Sequence, residues 1–536
     1  MSRLRAYRRW GTIFVLATLV LVGCGGGGSE EEEPVEDAAR APVQNLRVAA
    51  GEDPFLRGNP PALNVGLTAA GPNLGIFETL TRLSPNFGLA AGLAQRWESP
   101  SPNQWRFFLR PNVTFHNGAR MDAGAVVSTL ETIARRQNNK PRGLEPGTAK
   151  ARDDMTVEID LASPNARLAE QLASPTMGIV APGTEAGAGE TPATTPTGTG
   201  PFRFDSYRPG GELKVAAFEQ YWGEKPQLAS ILFRFGPERD AGRLLATRAV
   251  ELVGLIPYEF LPKVSGRTDR VVGSQPARAQ YLLLNVGGIE EWATLKDENV
   301  RRAIALALDR RAVAKAGWPD DGEENNTLIP ALVLGDADER VRPPAQNVAE
   351  SNRLLDTAGW VRGGDGQRTK DGTSLSLSLI LARPAEQERA AEELKKQLGA
   401  VGVGLQVVDP APEGAFSRVN TATFDLYLAS QPQDDANPCA ICRFFTVRPG
   451  GNLAFASAAG GGQKVDDLYE RVFSSPSPDT ARRLAADIMN VVITERFTAV
   501  PLAAVRTEWL VSPRVRGFEP AALGGDQRWE SVWLTV

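Results

Sequence analysis

Between residues 375 and 408 the spacing of apolar positions changes period twice. In LSLSLIL (375–381) leucines recur at every second position, Leu375, Leu377, Leu379 and Leu381, which predicts a strand with its leucines on one face. Pro384 then opens a helical stretch that runs to Leu398, and Gly399 ends it. VGLQVV (403–408) predicts a second strand, so the segment reads as a β-α-β unit. FDLYLA (424–429) predicts one more strand. In NVRRAIALALDRRAVAKA (299–316) the residues Val300, Ile304, Ala307 and Leu308 keep helical spacing, with Asp297 or Asn299 as the cap. Alternation of the two periods from Leu46 onward predicts an α/β protein.

A different pattern opens the chain. Residues 13–22 are apolar except for Thr18 and follow Arg3, Arg5, Arg8 and Arg9. That run is short for a membrane-spanning helix and fits the hydrophobic region of an export signal. Leu21-Val22-Gly23-Cys24 resembles the lipobox of bacterial lipoproteins. The resemblance implies that residues 1–23 are a signal peptide, cut away, and that Cys24 carries the acyl chains of a membrane lipid anchor. Residues 24–45 then form a tether, with glycines 25–28 flexible and Glu30, Glu31, Glu32 and Glu33 repelling one another and anionic lipid. The body is expected outside the cytoplasm, in a periplasm or on the outer face of the membrane. A plain secretory signal and an uncleaved anchor are the alternatives.

Composition narrows the body. A chain of 536 residues has length for two or three domains. The formal net charge is −5, and removing residues 1–23, with four arginines and no acid, takes it to −9. An acidic body without a basic cluster argues against nucleic acid. Of the three cysteines, Cys439 and Cys442 lie in NPCAICRFF. Outside the cytoplasm such a pair reads most simply as a local disulfide, against a redox motif or half a metal site that no neighbouring residue supports. The sole histidine, His116, sits in FHNG, where Asn117-Gly118 predicts a tight turn and a structural role for the ring.

Four segments carry a family resemblance. They are LAAGLAQRWESPSPNQWRFFLRPNVTFHNGARMDAGAVVSTLE (89–131), GTGPFRFDSYRPG (198–210) followed by YWGEKPQLASILFRF (221–235), VRRAIALALDRRAV (300–313) and ESNRLLDTAGW (350–360). In this order they are similar to the peptide- and nickel-type extracellular solute-binding proteins of ABC importers. The resemblance implies a two-lobed α/β body of the type II periplasmic-binding-protein (Venus-flytrap) kind, with mixed sheets. One lobe is expected from residues 46–276 plus 505–536, with an extra subdomain at about 79–194, and the other from 277–504. It also implies a monomer without cofactor or catalysis. The ligand sits between the lobes, and permease subunits in the membrane receive it.

The ligand question turns on FDLYLASQPQDDANP (424–438). In peptide-binding members such a strand leads to Trp-x-x-Asp-Tyr, whose aspartate receives the peptide amine, so the resemblance places Asp434 at that role. Gln431 stands where the tryptophan is expected and Asp435 where the tyrosine is, which removes two aromatic surfaces and makes the cleft more polar. Gln431, Asp434 and Asp435 are the ligand-binding candidates, for a short peptide or similar amine-bearing solute. The competing reading makes Asp434 and Asp435 turn residues. A nickel or metal-complex receptor and a sensor without a permease are the alternatives within the fold, and a carboxylate-pair hydrolase has no motif in its favour.

Overall fold

The computed structural model describes residues 39–50, 53, 74–84, 88–136, 140–184, 195–236, 243–244, 247–254, 270–288, 290–319, 322–409, 414–433, 435–447, 461–521 and 527–536. Cys24, the signal segment and Asp434 lie outside them. Three sheets organise the described residues into two lobes.

The first-lobe sheet has seven strands in the order Arg270–Gly273, Glu508–Val511, Leu252–Gly254, Asn45–Ala49, Ser230–Arg234, Glu212–Ala217 and Phe202–Arg208. Asn45–Ala49 is parallel to both its neighbours and the other pairs are antiparallel, so the sheet is mixed. Its core is built on Leu46, Val48, Phe202, Ile231, Val511 and Trp529. Between its strands the chain inserts a four-stranded antiparallel sheet, Ala94–Ser101, Gln104–Leu109, Thr156–Asp160 and Ala149–Asp153. The helix Ala123–Ala134 shares that sheet's core through Val126, Leu130 and Ile133, capped by the Asp122 carboxylate on Ala125 N–H.

The second-lobe sheet runs Gly322–Glu324, Ala499–Val505, Arg278–Leu284, Leu426–Pro432, Ser376–Leu381 and Gly404–Val407. Two adjacent inner strands, RAQYLLL and AVPLAAV, are buried along their whole length because both faces are covered. Ala279, Tyr281 and Leu283 enter one core and Leu282 and Leu284 the other, as the twofold strand period requires. The β-α-β unit is present: Ser376–Leu381 and Gly404–Val407 are parallel, joined by the helix Pro384–Ala400. Leu377, Leu379 and Leu381 meet Ala390, Leu394 and Leu398 of that helix in one core.

Two expectations needed revision. The stretch 299–316 forms two helices, Glu298–Ala307 and Arg310–Gly317, since Leu308 is extended and the Asp309 carboxylate caps the second at Ala312 N–H, 3.0 Å away. A local hydrogen-bonding acid outweighs a continuing apolar period. The strand begun by FDLYLA continues to Pro432, which places Gln431 on the strand rather than in the loop after it. Asp425 of that motif is buried and accepts hydrogen bonds from Ser378 N and Oγ at 2.8 and 2.9 Å, tying two neighbouring strands together.

The chain crosses between the lobe sheets at 274–277 and 506–507. These crossings are paired: Ser274 N–H donates to Thr507 O and Thr507 N–H to Ser274 Oγ, both at 3.0 Å. Two short connections held side by side allow rotation about one line while resisting shear.

His116 shows how the inserted sheet is fixed to the first lobe. Gly198 N–H donates to its Nδ1 at 3.3 Å, so Nε2 carries the proton and donates to Gly200 O at 3.0 Å. The backbone approaches closely here: a Cβ on Gly198 would lie 2.1 Å from Ile76 O, and one on Gly200 2.3 Å from Gly75 O. Burial pushes the His116 pKa down to about 4. A second ring proton would face the Gly198 N–H, donor against donor. With an unfolded value near 6.5, the unfolded chain takes up a proton first as pH falls. Stability from this group is therefore complete above about pH 6.5 and lost progressively towards about pH 4, an effect of about 3 kcal/mol. In chemical denaturation, the difference in stability between pH 7 and pH 4 is expected to shrink by about that amount in His116→Gln, whose carboxylates titrate as before.

Candidate functional site: a cleft between the lobes

The strand Leu426–Pro432 delivers the site. It pairs with Arg278–Leu284 so that Ala279 lies opposite Gln431, one register step from the crossing between lobes. Gln433 N–H then donates to Ala277 O at 2.9 Å, fixing the start of the following loop to the crossing itself.

That loop is built from polar side chains on their own backbone. Gln433 Nε2 donates to Asp435 O at 2.7 Å and Asn437 O at 3.1 Å. Asp435 Oδ1 accepts from Asn437 N–H, and Asn437 Oδ1 from Cys439 N–H, each at 3.0 Å. These are successive Asx turns, the local bonding that Asp and Asn favour. A disulfide joins Cys439 to Cys442, both fully buried, and a short 3₁₀ turn, Cys442–Phe445, follows.

Between this loop and the inserted sheet's flank lies a cleft of about 440 Å³. One wall carries Gln431, Gln433 and Asp435 with Ile441 and Phe444, and the other carries Lys140, Arg142, Glu145 and Gln171. Gln431 is exposed there, its Nε2 donating to Pro432 O at 3.2 Å. Asp435 is buried, and one of its oxygens serves the turn. Asp434 is outside the described residues, but both its neighbours in sequence line the cleft.

Cations dominate the opposite wall. Lys140 Nζ sits 2.7 Å from Glu145 and 3.0 Å from Ala134 O. Arg142 reaches across to Glu470 at 2.6 Å and stacks near the rings of Tyr469 and Phe473, 5.4 Å from each centroid. Arg443 lies over Phe444 from the loop side. Further contacts span the same seam: Ala166 N–H donates to Phe473 O at 2.6 Å, and Arg167 Nη2 to Ser475 O and Pro476 O, each at 3.2 Å. Both arginines stand at the C-terminal end of the helix Gly462–Ser474, where its macrodipole is negative.

Lys140, Arg142 and Arg443 had not been singled out in the sequence. Lys140 and Arg142 fall in no motif, and only the adjacency of Arg443 to Cys442 marked its segment. Among the described residues, no three or more His, Cys, Asp or Glu side chains converge as metal ligands. No helix among them is long and apolar enough to cross a membrane.

Known proteins agree with this architecture. NikA from Brucella suis, solved in complex with Fe(III)-EDTA, superposes with a TM-score of 0.78 over 92% of this chain and 100% of its own, at 22% identity. The fold is therefore the type II periplasmic-binding-protein fold. The dipeptide-binding protein of Escherichia coli K12 is 26% identical over 350 residues, 59% of this chain and 62% of that protein. The glutathione-binding protein GsiB of Salmonella paratyphi A is 23% identical over 418 residues, 76% of this chain and 79% of that protein. A family model described as "Bacterial extracellular solute-binding proteins, family 5 Middle" matches residues 88–451, more than half of the chain. With two lobes, paired crossings and a polar cleft between them, the chain belongs to the bacterial extracellular solute-binding proteins of family 5.

Proposed function

We propose that this chain is the substrate-binding component of an ABC importer, and that it captures a short peptide or similar amine-bearing solute in the inter-lobe cleft. The observation that carries the reading is the division of charge across the cleft. The loop that carries Asp435, and in sequence Asp434, supports a site for the ligand's ammonium, while Lys140 and Arg142 on the opposite wall offer donors to its carboxylate. A volume near 440 Å³ lies in the range of small-ligand sites. The dipeptide- and glutathione-binding relatives support the same class of solute.

Closure about 274–277 and 506–507 gives the output. A ligand that touches both walls favours the closed form by its differential affinity alone, and the permease reads that form. The lobes correspond to 46–276 plus 505–536 and to 277–504. Acyl chains on Cys24 would hold the body at the membrane, raising its effective concentration at the permease.

Thermal shift of the purified body without residues 1–24 tests the ligand class. A peptide at a hundred times its Kd adds about 2.7 kcal/mol of stability. Stabilisation by free-amine peptides is the expected result. Stabilisation by neutral sugars or metal chelates, with none by peptides, would remove the proposal.

A further inference from the structure

Beside the cleft lies a smaller chamber of about 70 Å³. Gln431, Ile441 and Phe444 line both spaces, so the two adjoin at these three side chains. The chamber floor is one face of the second-lobe sheet. Tyr281 and Leu283 stand on Arg278–Leu284, opposite Ala429 and Tyr427 of the neighbouring strand in register. Its roof is the turn Cys442–Phe445, set in place by the disulfide, with Val419 from the short helix Ala415–Asn420.

Two features single out this space. The walls are apolar, from Leu283, Val419, Ile441, Phe444 and Phe445, yet two tyrosines line them. Tyr281 is 2% exposed, and neither its hydroxyl nor that of Tyr427 makes a hydrogen bond among the described residues. Buried hydroxyls without partners are uncommon because each forfeits a bond it makes in water. Neither tyrosine hydroxyl is sealed by protein, since both residues border the chamber, so the bonds are left to whatever fills it. Ser430, whose backbone borders the chamber, turns its Oγ to the opposite face of the sheet, where Arg278 Nη1 donates to it at 2.8 Å and that guanidinium pairs with Glu386. No net charge is offered to an ionised occupant.

We propose that this chamber is a side-chain subsite of the cleft, selecting a short uncharged side chain that ends in a hydrogen-bond acceptor, with Tyr281 and Tyr427 as its donors. The assignment rests on the peptide reading given above. The volume admits a group of a few heavy atoms, about the size of an asparagine or threonine side chain. An isosteric apolar group would displace the water serving the two hydroxyls and return nothing to them, the situation in which hydrogen-bonding sites discriminate most strongly. An ionised group would lose its hydration without a counter-charge. Gln431 sits at the mouth, where a larger residue would shut the chamber off.

Calorimetric titration with tripeptides tests this, each carrying Asn, Leu, Thr, Val, Asp or Lys at one of three positions in an alanine background. At one position Asn is expected to bind about tenfold tighter than Leu and Asp, and Thr tighter than Val. Tyr427→Phe lowers the Asn-to-Leu ratio at least threefold, and Gln431→Trp abolishes it by closing the mouth. Should the peptides bind with no difference between Asn and Leu at any position, or should both variants keep the ratio, the chamber is not a subsite while the peptide reading stands. If no tripeptide binds at all, the peptide reading fails first and this assignment with it.

Discussion

Asp434→Asn is expected to lower affinity for a free-amine peptide about 100-fold, close to 2.8 kcal/mol, with little change in the melting temperature of the unliganded protein. An ionised carboxylate that lobe closure shuts away from water is costly unless a cation meets it, which is the reason for assigning Asp434 to the ammonium of the proposed peptide. Much of the lost affinity is the cost of leaving that ammonium buried and unpaired. The control is chemical: an N-acetylated peptide should bind the wild-type protein about as weakly as the free-amine peptide binds Asp434→Asn. The variant should also lose all preference between the two peptides. If the variant instead melts far lower and binds normally once folded, Asp434 is a turn residue like Asp435, whose Oδ1 serves Asn437 N–H.

Arg142→Ala combined with Arg167→Met should speed ligand dissociation tenfold or more, with a much smaller change in association rate. Arg142 bridges to Glu470 at 2.6 Å and lies over Tyr469 and Phe473, while Arg167 binds the carbonyls of Ser475 and Pro476. All these contacts join the inserted sheet's flank to the end of one second-lobe helix, the seam that a rotation about 274–277 and 506–507 would part. Contacts made only in the closed state slow opening, and ligand leaves through opening. Tenfold corresponds to about 1.4 kcal/mol, modest because the Arg142 pair is partly exposed and solvent weakens it. Stopped-flow displacement with an excess of unlabelled peptide reads the rate directly. An unchanged dissociation rate would mean that the seam is a permanent joint and moves with neither lobe.

The chain's periodicity revealed some of this and hid the rest for definite reasons. The β-α-β unit was legible because leucine alternation, Pro384 and Gly399 all speak of neighbours within a few residues. Asp425 was visible only as part of a pattern, and its purpose needed Ser378 brought beside it from 47 residues away. The helix break at Leu308 was signalled by Asp309, a capping residue before Arg310, but apolar spacing on either side masked it. Gln431 was found by comparison with a motif, whereas its place at the mouth of a second chamber depends on strand pairing with Ala279 and on the turn after Cys442. Lys140 and Arg142 were hidden altogether. They reach the cleft from a different lobe, and the wall they face begins at Gln431, 289 positions beyond Arg142. The seam between Arg142 and Glu470 spans 328 positions.

His116 carries a related lesson. A lone histidine beside a glycine turn invites a catalytic reading, yet both ring nitrogens are occupied by the backbone of Gly198 and Gly200. Its chemistry is consumed in holding two segments together, which is why its protonation bears on stability rather than on ligand.

Small-angle scattering of the acyl-free body, with and without the peptide that raises its melting temperature most, tests the central claim most directly. The account requires the radius of gyration to fall on saturation as the lobes rotate about 274–277 and 506–507. Superimposable profiles from samples in which calorimetry confirms full occupancy would contradict it.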